Sequence, residues 1–162
     1  MSTDTASARF APAATAQTSS SVHIYQCPVR WSDMDVYGVV NNVSFLRLLE
    51  EARVDFIWRL GAEQGDAFFS GGSVVVRHAI EYKRPLVHRH EPVAIYMWVS
   101  EVRAAAVTIE YEVRDGDTLC ALAATTMAPF NYEGRYPRTM SDEETAFFER
   151  FLTPRKALSC AC

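Results

Sequence analysis

The sequence predicts an α+β domain in which one long helix follows a first strand and precedes four antiparallel strands. Three observations predict it. Between residues 43 and 60 the apolar side chains recur at helical spacing, bounded by Asn42 and Gly61. From Ser73 onward the pattern switches to four strand-like runs, most clearly alternating over residues 105–114. No second helical stretch interrupts those runs, so they do not form the βαβ units of a parallel sheet.

Residues 1–21 are small, polar and aperiodic, and read as a disordered tail. Val22 to Trp31, rich in Val, Ile, Tyr and Trp, reads as a strand. Ser32 to Asn41 reads as a loop punctuated by Gly38. The helix is expected from Val43 to Leu60. Asn42 is placed to cap it, and Gly61 to end it by taking a left-handed conformation. Phe45, Leu49, Ala52, Phe56 and Leu60 share one face of the helical wheel, with Arg53 flanking it. Arg47, Glu51, Asp55 and Arg59 share another, and Asp55 and Arg59 are spaced for an (i, i+4) ion pair. Trp58 sits among the charged positions. Residues 62–72 read as a loop carrying Phe68 and Phe69.

The strand run Ser73 to Lys83 puts Val74, Val76, His78, Ile80 and Tyr82 on one side. Val93 to Val102 is apolar on nearly both sides, as in a strand covered on both faces. Ala105 to Val113 alternates apolar with polar residues, so one face is wet. Asp115–Gly116 then signals a hairpin into a last strand, Thr118 to Phe130. Ser141 and Glu144 are spaced as a capping box for a short terminal helix. Residues 22–152 are taken as one domain and 153–162 as a tail. One helix cannot cover both faces of a five-stranded sheet, so a homo-oligomer is expected to bury the other face.

The chain has 162 residues and a formal net charge of -4, which disfavours nucleic acid as its main partner. It holds no apolar run of the roughly 20 residues that cross a bilayer, and its N-terminus lacks the apolar stretch of a signal peptide. A cytoplasmic protein is expected, with no membrane contact. Cys27 and Cys120 fall in strands far apart, and Cys160 and Cys162 at the C-terminus. None has the spacing of a zinc site or a disulfide framework. No metal and no cofactor are expected. His88-Arg89-His90 reads as a solvated turn. A phosphate-binding glycine fingerprint, G-x-S-x-G and H-E-x-x-H are all absent.

The stretch Arg30-Trp31-Ser32-Asp33-Met34-Asp35-Val36-Tyr37-Gly38-Val39-Val40-Asn41-Asn42, leading into Phe45-Leu46-Arg47, carries the chemistry. It sets two carboxylates just before a helix start, whose unpaired amides and partial positive charge stabilise an oxyanion. This stretch resembles the signature of the 4-hydroxybenzoyl-CoA thioesterase-like hotdog family: Asp-x-Asp-x-x-Gly-x-Val, then a helix opening with an aromatic residue and leucine. The resemblance runs from about Val22 to Phe130 and takes in Tyr82-Lys83-Arg84-Pro85-Leu86.

The resemblance implies a hotdog fold, a long central helix wrapped by a five-stranded antiparallel sheet, and hydrolysis of an acyl-CoA thioester. By it, Asp35 is the catalytic carboxylate, acting as nucleophile or general base. The backbone N–H of Asn42 polarises the carbonyl, and Gly38 lets the loop bend back. Val39, Val40 and Asn41 fall at substrate-contact positions. Lys83 and Arg84, with Arg89, are candidates for the CoA phosphates, while Asp33 is read as structural. The family also implies a homodimer with a continuous sheet, often paired into a tetramer, with Asp35 facing the neighbouring subunit. Many members carry histidine near Asn41 or Asn42, and Gly-Asp where Arg89-His90 stands here. Related enzymes place a glutamate on the central helix, for which Glu50 and Glu51 are the candidates. The alternatives are a non-catalytic acyl-CoA-binding hotdog protein and a hotdog dehydratase or hydratase, although the loop and helix start hold no histidine.

Overall fold

The computed structural model describes residues 22–63 and 72–153. The expected N-terminal tail, the Phe68–Phe69 loop and nearly all of the C-terminal tail lie outside the described residues. The elements are β1 (His23–Cys27), a 3-10 turn (Trp31–Asp33), α1 (Asn42–Val54), a π-helical turn (Asp55–Arg59) and α2 (Leu60–Ala62). β2 (Ser73–Tyr82), β3 (Val93–Arg103), β4 (Ala106–Asp115), β5 (Thr118–Asn131), β6 (Tyr136–Pro137) and α3 (Asp142–Glu149) follow. The main strands pair antiparallel in the order β1-β3-β4-β5-β2, and β6 adds a short sixth strand beside β5. The sheet curls around the central helix, which is the hotdog arrangement expected above.

Period-two patterning builds this sheet. Ile95, Met97 and Val99 of β3, and Val107, Ile109, Tyr111 and Val113 of β4, are buried with Leu49, Ala52 and Phe56 of the helix in one core. Removing that apolar surface from water is the main force closing sheet on helix. Asp115–Gly116 makes its turn with Gly116 in the left-handed region, φ 57°. The Ser141–Glu144 capping box forms on α3, whose Phe147 and Phe148 enter the core.

Several expectations need correction. β1 ends at Cys27, not Trp31, because Pro28 has no N–H for the ladder. Trp31 lies in the 3-10 turn, where the Asp33 carboxylate accepts from Arg30 N at 2.7 Å. Asn41, not Asn42, caps the helix: its Oδ1 accepts from Val43 N at 2.9 Å, and Asn42 is the first helical residue. Gly61 lies inside α2, so it does not end the helix. β2 carries a bulge between Val75 and Arg77 that shifts its register. Val75, opposite Met127, therefore shares the inner face with His78, opposite Thr125, and Val74 turns to the outer face.

The π-helical turn sets Asp55 against β1. His23 Nε2 lies 2.7 Å from Asp55 Oδ2, and Arg59 pairs with the same carboxylate at 2.6 Å, as the (i, i+4) spacing predicts. Burial pushes the His23 imidazole below its ordinary pKa of 6.5, outweighing the upward pull of Asp55. The unfolded chain therefore takes up this proton first as pH falls. The contribution is complete above about pH 6.5 and is lost as pH drops through the depressed folded value. Thermal unfolding midpoints are expected to fall on acidification from about pH 7 to about pH 5.5, and to fall less in His23→Gln. An equal acid sensitivity in both proteins would contradict this. Cys27 is enclosed in the core, and burial pushes its thiol up to about 11; Cys120 is likewise buried.

Candidate active site

The segment between β1 and α1 is a tight hairpin. Met34 bridges Val40, Asp35 N donates to Val39 O at 2.9 Å, and Gly38 N donates to Asp35 O at 3.0 Å. This is the three-residue connection in which a turn is followed by a residue in the left-handed region. Gly38 fills that place with φ 74°. The Asp35 side chain sits at the base of the hairpin, half-buried, and Oδ1 accepts from Tyr37 N at 2.8 Å. Among the described residues no donor meets Oδ2.

Two backbone bonds dock the hairpin. Asn41 N donates to Asp33 O at 2.9 Å, and Val40 N donates to Leu86 O at 2.7 Å. The first joins the helix start to the acidic loop. The second joins the loop to the segment after β2. Asp33 is buried and spends its carboxylate on Arg30, so its contacts are those of a scaffold residue.

Between the helix start and that segment lies a mainly apolar groove of about 310 Å³. It is lined by Val39, Val40, Asn42, Lys83 and Arg84 from the expected set, together with Phe45 and Tyr82. The Phe45 and Tyr82 rings meet edge to face, with centroids 5.2 Å apart. Asp35, Gly38 and Asn41 do not line this groove; they build and hold the loop beside it. Asn42 is the first residue of the helix, so its N–H has no intrahelical acceptor, and among the described residues no other acceptor meets it. The groove wall thus offers an unused donor at the positive end of a helix dipole.

The basic side chains are less free than their spacing suggests. Lys83 Nζ pairs with Glu81, Arg84 Nη1 donates to Lys83 O at 3.0 Å, and Arg89 pairs with Asp115. His88 Nδ1 lies 2.8 Å from Val29 O, so that histidine braces the strand end. Among the described residues no group of three His, Cys, Asp or Glu side chains is placed to hold a metal ion. Glu51 is exposed, and Glu50 borders a separate cavity further along the helix. The sequence reading gave no role to His78, whose Nδ1 lies 2.9 Å from Thr125 Oγ1 on the inner side of β2. The parity it shares with Ile80 and Tyr82 was the available signal.

Gly38→Val should distort this loop, because a β-branched residue is strained at positive φ. Turnover of a thioester is expected to fall by about tenfold or more, with about 1–3 kcal/mol lost from stability. Unchanged kinetics in this variant would show that the loop geometry does not matter to the site.

An acidic hairpin docked against the start of a helix wrapped by an antiparallel sheet defines a hotdog domain of the thioesterase type. The family model of the thioesterase-like superfamily matches residues 29–152, and the chain belongs to that superfamily. The match is to the superfamily and does not single out the narrower 4-hydroxybenzoyl-CoA family. No curated protein matches the chain.

Among solved structures, a predicted thioesterase from Bacillus stearothermophilus superposes with a TM-score of 0.72 at 16% identity, covering 83% of this chain and 98% of that one. A thioesterase from Thermus thermophilus, complexed with coenzyme A and Zn, gives 0.68 at 22% identity, covering 83% and 96%. A candidate acyl-CoA thioesterase from Xanthomonas campestris gives 0.57 at 31% identity, covering 66% and 91%.

Proposed function

We propose that the protein is an acyl-CoA thioesterase that hydrolyses its substrate to a free acid and CoA. The observation that carries the reading is the unused Asn42 N–H in the wall of the groove, next to the hairpin that holds Asp35. In this reading the thioester carbonyl accepts from Asn42 N–H, which stabilises the oxyanion as the carbon becomes tetrahedral. Asp35 either removes a proton from the attacking water or attacks the carbon itself and is then released by water. Collapse breaks the C–S bond, and the CoA sulfur leaves as thiolate and takes up a proton.

Val39 and Val40 hold the reacting end, Asn41 fixes the helix start beside them, and Lys83 and Arg84 at the groove face the CoA phosphates. The Thermus relative was solved with coenzyme A, and the Xanthomonas relative is described as an acyl-CoA enzyme, which supports this choice of substrate. Among the described residues no helix is long and apolar enough to cross a membrane. We place the enzyme in the cytoplasm, with residues 22–152 as its catalytic domain.

The assembly proposed is a homodimer joined along β2, with further pairing to a tetramer. β2 is an edge of the sheet with Val75, Val76 and Tyr82 exposed, and such an edge invites another strand. Trp31, Val36 and Tyr37 also stand exposed around the hairpin, in keeping with a neighbour at the site. Sedimentation at micromolar concentration is expected to show a dimer or tetramer; a fully active monomer of 18.2 kDa would contradict the assembly.

The reaction is tested by following CoA thiol release from a panel of aliphatic and aromatic acyl-CoAs. At least one should give acid and thiol in equal amounts. Saturable binding across the panel without thiol release would instead support the acyl-CoA-binding alternative, and addition or loss of water at the acyl chain the dehydratase one.

A further inference from the structure

A second cavity, of about 610 Å³, lies along the later part of the central helix, against the opening residues of β2. Val54, Ile57, Val75 and Met127 line it together with Arg53, and Glu133 and Asn131 line it as well. Arg53 is only 6% exposed. Its Nη1 is fully enclosed and meets no acceptor, and among the described residues no carboxylate pairs with its guanidinium. The side chain of Glu50, one turn earlier, borders the same cavity without forming that pair. The buried Tyr111 hydroxyl lies beside Arg53, with that guanidinium and Thr125 as its polar neighbours.

A guanidinium cannot shed its charge by losing a proton inside a protein. Buried without a counter-charge it is strongly unfavourable, so such groups are normally paired. Here Arg53 adjoins a space in the usual size range of small-molecule sites, lined by apolar side chains and by Glu50 and Glu133. An amphiphilic anion suits it only with its charge at Arg53 itself, since the two glutamates repel an anion elsewhere in the cavity. A carboxylate matches the guanidinium fork with two parallel hydrogen bonds.

We propose that this cavity receives the far end of the acyl group and that Arg53 binds a carboxylate there, so that the preferred substrates are thioesters of dicarboxylic acids. The inference rests on the thioesterase reading above and adds to it the substrate class. Arg53 is 11 residues beyond Asn42 on the same helical run, about 16 Å along its axis. The acyl chain therefore either is long or crosses into the cavity of the partner subunit. Burial holds the His78 imidazole below the ordinary value, the Arg53 charge adds to that shift, and Glu50 opposes it.

The test compares acyl-CoAs from hexanoyl to dodecanoyl with their ω-carboxy counterparts, for the wild type, Arg53→Met and Arg53→Lys. The wild type is expected to favour at least one ω-carboxyacyl-CoA over its unsubstituted counterpart by about tenfold or more in kcat/KM, the scale of a charge-assisted bidentate contact. Arg53→Met should abolish the preference while still hydrolysing the unsubstituted thioester, and Arg53→Lys should retain part of it. A wild type with no preference, or an Arg53→Met that keeps it, overturns the proposal.

Calorimetry with free dicarboxylates of the same lengths needs no turnover. Dicarboxylate binding that is lost in folded Arg53→Met upholds the anion site even if no thioester is hydrolysed. Hydrolysis without preference, together with no dicarboxylate binding, defeats the anion site and leaves the thioesterase reading standing. If Arg53→Met sediments as a monomer and the wild type shows no ω-carboxy preference, Arg53 serves the subunit contact, and the proposal falls.

Discussion

Asp35→Ala is expected to fold like the wild type and to hydrolyse its best thioester at least about tenfold more slowly, a loss of about 1.4 kcal/mol in transition-state stabilisation. The fold should survive because the hairpin is held by its backbone. Asp35 N to Val39 O, Gly38 N to Asp35 O and Val40 N to Leu86 O all persist without the carboxylate. The substitution removes one local bond, from Tyr37 N to Oδ1. Asp35→Asn keeps an acceptor for that bond yet can neither attack the carbonyl nor take a proton from water. Both variants should therefore be slow, and the asparagine variant separates chemistry from loop shape. Steady-state kinetics on CoA thiol release measure both.

Phe56→Ala is expected to cost about 3–5 kcal/mol of stability, the range for emptying a fully buried aromatic site. Phe56 is 0% exposed and sits among four other rings. Its centroid lies 4.8 Å from Phe151, 5.5 Å from Phe147, 6.4 Å from Phe148 and 5.4 Å from the stacked His23. It therefore ties the central helix to β1 and to the C-terminal segment at once. Urea unfolding followed by tryptophan fluorescence measures the loss; a cost under about 1 kcal/mol would mean that the cluster collapses around the gap.

These two residues differ in how far the sequence foretold them. Phe56 was legible as core from helical spacing alone. The Asp115–Gly116 turn and the Ser141–Glu144 capping box are local patterns, and they formed as read; the β4 alternation formed too, but Glu110 on its expected wet face is buried and accepts from Ser100 Oγ. What failed depended on information beyond the local chain. Asn41 and Asn42 are both competent caps, and only the turn of the incoming loop selects Asn41. The β2 bulge depends on the register with β5, so the outward turn of Val74 could not be read from β2 itself. The π-helical turn arises where the helix meets His23 of β1, more than thirty residues away in the chain.

The site was legible in a different way. Asp33 and Asp35 are chemically alike in sequence, and only the family pattern ranked them. Their contacts then separate them: one carboxylate caps the 3-10 turn and the other keeps an oxygen that meets no donor among the described residues. The joining of Lys83 and Arg84 to the helix start also lay outside periodicity, since it depends on the Val40–Leu86 bond. Arg53 looked like a flanking charge on a wheel, and nothing in the helix marks it as buried with no carboxylate partner among the described residues.

The proposed division of labour gives the chemistry to Asp35 and the loop to Asp33. It is tested most directly by measuring kcat for Asp33→Ala and Asp35→Ala on one thioester, beside their thermal unfolding midpoints. Asp35→Ala is expected to keep its midpoint and lose turnover, while Asp33→Ala should unfold at a lower temperature and, where folded, still turn over. A folded Asp33→Ala without activity, beside an Asp35→Ala as fast as the wild type, would contradict it.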